Sequence, residues 1–263
     1  MARIEVKDLE VTYGQSHTDE PFVALTGVNL TIDDGEFVTV VGPSGCGKTT
    51  LLNAIAGLLT PSKGRVLIDG RPVVGPGPDR AIVFQDYAIF PWRTTWDNVR
   101  VGIEAQKDLR RDADARIRDV IKMVGLEGFE KAYPSQLSGG MKQRVGLARA
   151  IVANPTTLLL DEPLAAVDAM TRQVMQDELE RIIAESGKSA LFITHSIDEA
   201  ILLGDRVVVA TTKPGRIKAV LDVPLPRPRY SFDAKADPIF IGLREQLWEM
   251  LHAEAVIHAR GEQ

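Results

Sequence analysis

The chain has one cysteine among its 263 residues, Cys46, so no internal disulfide can staple it, which fits a reducing compartment. Aromatic residues make up only 6% of it. No apolar run approaches the roughly 20 residues that a membrane-spanning helix needs. The first residues, MARIEVKDLEVTYG, alternate and carry charge, without the apolar stretch of a secretory signal. Work at a membrane would therefore go through a partner. A basic excess is missing as well: 31 Lys and Arg face 36 Asp and Glu, a formal net charge of -5, which argues against nucleic acid as the main partner. Internal repeats and low-complexity stretches are absent from the sequence.

What is present is a 44% hydrophobic content, enough for a large buried core. RIEVKDLEVTY (3–13) alternates like a strand, and FVALTGVNLTIDDGEFVTVVG (22–42) reads as two further strands turned at Asp34-Gly35. FVTVVG is apolar enough to be buried on both faces, as in a parallel sheet. GRVLIDGRPV (64–73) reads as a hairpin turned at Asp69-Gly70. RAIVFQ, TTLLLDEP and SALFITHS read as further strands, DRVVVATTKPGRIKAVLDV as a strand pair, and Asp97 to Ala153 as mostly helical. Alternating strands and helices predict an α/β core with a largely parallel sheet. The prolines of LPRPRY (225–230) mark a linker before a terminal helix.

Between a predicted strand and a predicted helix stands GPSGCGKT, a full match to G-x-x-x-x-G-K-[ST]. Gly42, Gly45 and Gly47 let the backbone curl so that the nucleotide-binding loop 42–50, which also holds Pro43, Ser44, Cys46 and Thr50, can turn its N–H groups (all but Pro43 have one) toward a polyphosphate. Lys48 can reach the β- and γ-phosphates, and Thr49 offers a hydroxyl to Mg²⁺. Cys46 is either a redox-sensitive thiol or a small residue at a tolerant position. LLLDEP (158–163) ends an apolar strand on two carboxylates: Asp161 suits the Mg²⁺ shell and Glu162 the activation of an attacking water. Without a phosphate loop upstream, the same pair would read equally well as an acidic strand end. Gln85, closing RAIVFQ, can coordinate Mg²⁺ and the lytic water or simply be a solvated polar residue. His195, closing LFITH, lies on the side where ligands collect in open α/β sheets and can sense a γ-phosphate, although a lone histidine is more often structural. Tyr13, at a strand end, can stack on adenine or be an ordinary surface or core tyrosine. In LSGGM (137–141), two glycines open a helix: Ser138 is either its N-cap or, with Gly139 and Gly140, a second phosphate contact.

Taken in order, Tyr13, residues 42–50, Gln85, LSGGM, LLLDEP, AAVD (165–168) and His195 resemble the ATP-binding subunits of ABC transporters over nearly the whole chain. The segment 75–99, GPGPDRAIVFQDYAIFPWRTTWDNV, and the tail from 226 look most like importers of nitrate, sulfonates and taurine. The resemblance implies a P-loop NTPase (RecA-like) core with an N-terminal antiparallel β subdomain and a helical signature subdomain. As one cassette it divides at about 1–85, 86–153, 154–225 and 226–263. It implies ATP hydrolysis with Mg²⁺ bound by Thr49, Gln85 and Asp161, and catalysis by Glu162, His195, Lys48 and Gln85. Ser138, Gly139, Gly140 and Asp168 would contact ATP held by a second, identical subunit. The further partners implied are transmembrane permease subunits and, indirectly, an external solute-binding protein, placing the chain on the cytoplasmic face of the inner (plasma) membrane. Tyr87, Phe90, Pro91 and Trp92 would form either an apolar dock for the permease or core packing. Met141 departs from the usual Gln of the signature, and Ala165 and Val167 from the usual Gly and Leu. Alternatives are an ABC importer ATPase for another solute, a soluble ABC ATPase acting on nucleic acid or ribosomes, a metabolite kinase, or a regulatory nucleotide-binding subunit.

Overall fold

A computed structural model describes residues 3–14, 21–165, 169–212 and 214–260. In chain order the elements are β1 (Ile4–Tyr13), β2 (Phe22–Ile32), β3 (Phe37–Val41), α1 (Lys48–Ala56), β4 (Lys63–Ile68), β5 (Arg71–Pro72), β6 (Arg80–Val83), α2 (Thr95–Glu104), α3 (Ala113–Met123), α4 (Gly139–Val152), β7 (Thr157–Asp161), α5 (Ala169–Ser186), β8 (Ser189–Ile193), α6 (Ile197–Leu203), β9 (Arg206–Ala210), β10 (Ile217–Asp222) and α7 (Pro238–Arg260). They fall into two compact units, Met1–Gly77 with Ser189–Gln263, and Pro78–Lys188.

The first unit holds an antiparallel sheet in the order β2-β1-β4-β5. Its β4–β5 hairpin turns at Asp69 (φ 51) and Gly70 (φ 75), the paired left-handed residues that an Asp-Gly turn supplies. A second set of strands centres on β3, which pairs in parallel with β8 on one side and β9 on the other, with β10 antiparallel to β9. All five residues of β3 and of β8 are buried, as their largely apolar runs require, with Thr39 and Ser189 the polar members. The C-terminal end of β3 delivers the chain to α1.

The end of the chain is fastened rather than tethered. Arg229 is only 3% exposed, and its Nη1 donates to the carbonyls of Ile201 (2.7 Å), Leu202 (3.1 Å) and Gly204 (2.7 Å). These are carbonyls at the C-terminal end of α6, where a cation is favoured. The segment expected to be a linker is therefore an anchor, because its arginine finds acceptors that the proline pattern does not reveal. Beyond it, Phe240 and Leu247 of α7 sink into a cluster with Val41, Ile201, Val207 and Val209. Trp248 faces outward, 63% exposed, with its ring stacked on His252.

The second unit pairs β6 with β7 in parallel; α4 packs against β6, and α2, α3 and α5 pack on α4. Asn98 of α2 is fully buried, and an asparagine inside a helix needs a tertiary partner to offset its poor propensity. It has several: Nδ2 donates to the carbonyls of Phe90 (3.1 Å), Arg93 (3.0 Å) and Thr94 (3.0 Å), while Oδ1 accepts from Phe90 N–H (2.8 Å). One side chain thus sets the path of residues 90–94.

Candidate functional site

In the first unit, the loop from β3 to α1 carries Gly45 at φ 77 and Gly47 at φ 89, both left-handed. Gly47 is doubly constrained, since a Cβ there would lie 2.5 Å from Leu25 Cδ2. A Cβ on Gly42 would lie 2.7 Å from Cys46 Sγ and 2.9 Å from the Ala210 carbonyl oxygen. Gly47 caps α1 with no side-chain hydrogen bond, whereas the hydroxyls of Thr94, Ser138 and Ser196 cap α2, α4 and α6. A glycine N-cap has no side chain of its own to bond the first-turn amides of α1, which is the arrangement an anion at a helix N-terminus uses. Lys48 bends back over the loop, its Nζ donating to the carbonyls of Gly42 (2.9 Å) and Pro43 (3.1 Å). Ser44, Gly45 and Thr49 are exposed, and Pro43, Gly47, Lys48 and Thr50 are partly so. Cys46 is the exception: its side chain is buried, and burial raises the thiol pKa, with the nearby Lys48 charge acting against that rise.

Tyr13 ends β1 beside this loop, its hydroxyl 3.4 Å from Thr50 Oγ1 and its side chain 40% exposed. His195 stands two residues past the end of β8, not on the strand as its sequence context suggests. Thr194 N–H still donates to Val40 O (3.1 Å), so His195 leaves alongside the strand that feeds the loop. The turn around it is tightly held. Thr194 Oγ1 donates to the Glu199 carboxylate, accepts from Ser196 N–H (3.0 Å), and Ser196 Oγ accepts from Glu199 N–H (3.3 Å). Tyr13, residues 42–50 and His195 therefore share one end of the first unit.

In the second unit, Val83 of β6 is in register with Leu160 of β7, so both strands deliver their following residues to the same end. Asp161 closes β7, and Glu162 follows at φ 45, a conformation rare for a residue with a side chain and most often kept where function needs it. Gln85 is exposed and lies two residues beyond β6 rather than closing it. The strand stops early because the chain turns through two left-handed residues, Tyr87 (φ 61) and Ala88 (φ 43). Ser138 caps α4, its Oγ accepting from Met141 N–H at 3.2 Å. Accepting leaves the hydroxyl proton for donation, so capping and phosphate contact are compatible. Ser138 and Gly139 are exposed, Gly140 is buried, and Gly139 has open space where a Cβ would stand. Asp168 lies outside the described residues.

Of the aromatic residues expected to form a dock, Trp92 is 71% exposed and packs 5.5 Å from the Phe90 ring. Tyr87 points inward, only 8% exposed, and is not available to a partner. Two positioning residues escape a sequence reading: Asn98 and Gly215. Gly215 N–H donates to Ala24 O (2.9 Å) and its carbonyl accepts from Thr26 N–H (3.0 Å), tying the β9–β10 turn to β2 beneath the phosphate loop. Only an isolated glycine in KPGR hints at it.

Comparison with known proteins agrees with these features. Residues 25–165 match the ABC transporter family model. The chain is 46% identical over 235 residues to the taurine import ATP-binding protein TauB of Rhizobium johnstonii, covering 88% of this chain and 89% of that one. It is 44% identical over 236 residues to the nitrate import ATP-binding protein NrtC of Synechococcus elongatus, covering 89% of this chain and 36% of that longer protein. Among solved structures, the dimeric ATP-binding cassette MJ0796 in a post-hydrolysis state bound to ADP and Pi superposes with a TM-score of 0.72 at 32% identity, over 85% of this chain and all of that one (100%). The chain belongs to the ABC transporter family, as an ATP-binding, ATP-hydrolysing transporter subunit with the P-loop NTPase fold.

Proposed function

We propose that the chain powers import of a small anionic solute, such as taurine, another sulfonate or nitrate. The observation that carries the ATP-driven part is the N-terminus of α1, capped by the left-handed Gly47 and with Lys48 folded over the glycine loop before it. The solute class follows from the nitrate and taurine import proteins the chain resembles.

In this account the amides of residues 42–50 and Lys48 bind the phosphates, and Tyr13 stacks on the base. The lysine exchanges the Gly42 and Pro43 carbonyls for phosphate oxygens, a charge-assisted pairing stronger than the one it leaves. Mg²⁺ suits the proposed donors: the Thr49 hydroxyl, the Gln85 amide oxygen and the Asp161 carboxylate are all hard oxygen ligands. When bound with ATP it neutralises charge on the phosphates. Glu162 orients and deprotonates the attacking water, and His195 senses the γ-phosphate. Ser138, Gly139, Gly140 and Asp168 serve the nucleotide of a second subunit, so two copies enclose two ATP molecules. ATP favours the closed dimer, and phosphate release removes the ligand that holds it.

Closure is passed to transmembrane permease subunits through exposed Trp92 and its neighbour Phe90. An external solute-binding protein would deliver the solute on the other side of the inner (plasma) membrane. No helix among the described residues is long and apolar enough to cross a membrane, so the permease would hold the chain there. The deciding experiment reconstitutes the chain with its permease and binding protein in vesicles. ATP-dependent uptake of taurine, alkanesulfonates or nitrate supports the proposal. Uptake only of solutes that carry neither a sulfonate nor any other anionic group refutes the solute class.

A further inference from the structure

Arg149 lies on α4, the helix that Ser138 opens, and its guanidinium grips the turn that follows Gln85. Nη1 donates to the carbonyl of Ala88 at 2.6 Å and Nη2 to that of Tyr87 at 2.8 Å. These are the two residues at φ 61 and φ 43. Each left-handed, non-glycine residue is strained and persists only where its surroundings hold it. The turn has no sheet partner for these carbonyls, and the planar fork of an arginine suits two adjacent acceptors. The same helix closes the contact from below. Gly146 is bare where it faces the turn, and a Cβ there would touch the Tyr87 carbonyl oxygen at 3.4 Å. The guanidinium also lies 5.9 Å from the centre of the Phe90 ring, beside Trp92. Asn98 fixes the remainder of that loop.

We propose that Arg149 is a positioning residue that locks Gln85, the Tyr87–Ala88 turn and the Phe90–Trp92 knuckle to the signature helix as one mechanical body. A displacement of Ser138 by nucleotide then carries the knuckle with it. The clamp stands on geometry alone, and its response to nucleotide rests on the proposed ATP-driven function.

The test is hydrogen–deuterium exchange on the purified full chain, comparing the parent with Arg149→Lys and Arg149→Gln. A lysine can reach one carbonyl at a time and a glutamine amide lacks the fork, so neither restores the double contact. Without nucleotide, backbone amides in 84–93 are expected to exchange at least about tenfold faster in both variants, with α1 and the interior of α4 unchanged. In a Glu162→Gln background, MgATP should protect both 42–50 and 84–93, and adding Arg149→Lys should leave protection only at 42–50. Exchange in 84–93 within about twofold of the parent overturns the clamp. So does loss of folding in both variants, which makes Arg149 a support of the whole unit. Equal nucleotide protection of 84–93 with and without Arg149 overturns the transmission. Absence of MgATP protection at 42–50 in the Glu162→Gln chain itself overturns the ATP-driven account, while the nucleotide-free arm still decides the clamp.

Discussion

A Cβ placed on Gly215 would stand 2.2 Å from the carbonyl oxygen of Cys46 and 2.9 Å from that of Ala24. The turn between β9 and β10 is thus the floor on which the phosphate loop rests, and only a residue without a side chain fits. Backbone atoms on both sides cannot swing away as a side-chain tip could. Gly215→Ala should lower stability by about 1–3 kcal/mol and push the loop out of line. Thermal unfolding should show a lower Tm, and nucleotide titration a weaker affinity, with no change in the reaction's products. A variant with parent Tm and parent affinity would show that the floor is not needed.

The Lys48 side chain turns back onto the loop's own carbonyls. Lys48→Ala removes the cation proposed for the β- and γ-phosphates, while the left-handed glycines keep the loop in shape. Steady-state hydrolysis should fall by about 10² or more, comparable with losing a preorganised charge donor in other active sites. Circular dichroism should be unchanged. Hydrolysis near the parent rate would remove Lys48 from the site.

Glu162 holds a left-handed backbone that positions its carboxylate just past β7. Glu162→Gln keeps the size of the side chain but removes the proposed base. Turnover should fall by about 10²–10⁴ while ATP binding is kept, and the variant should accumulate as an ATP-bound dimer in gel filtration. Parent-rate phosphate release from the purified variant would contradict the assignment.

The Cys46 thiol is buried, which raises its pKa, and the Lys48 charge only partly opposes that. The thiolate is the reactive form, so labelling by a maleimide at neutral pH should be much slower in the native chain than in urea. The sign for stability follows. The folded chain holds the thiol proton at pH values where the unfolded chain has released it, so this group's contribution is constant below the unfolded thiol's pKa and stability falls as pH rises above it. Urea titrations of the parent and Cys46→Ala across the alkaline range should diverge in that direction. Fast native labelling at neutral pH would contradict the burial.

The phosphate loop was legible in the sequence because its chemistry is local: glycines, lysine and threonine at fixed spacing between a strand and a helix. The buried runs of β3 and β8 and the Asp69-Gly70 hairpin were legible for the same reason. Strand ends were less so. Gln85 and His195 lie two residues beyond their strands, because the ladder ends where the chain turns and not where the apolar run ends. Tyr87 looked like its aromatic neighbours in sequence, but a left-handed backbone directs it inward. Arg149, Asn98, Gly215 and Arg229 could not be read, since each acts on backbone atoms brought to it by the fold.

The central claim is that one copy of the chain is catalytically incomplete and that a second must supply Ser138 and the glycines after it. Specific ATPase activity measured over a wide dilution series tests this most directly. The account expects activity per molecule to fall on dilution and to recover when inactive Lys48→Ala chains, which keep their signature residues, are added. Activity per molecule that stays constant into the range where light scattering finds only monomers would contradict it.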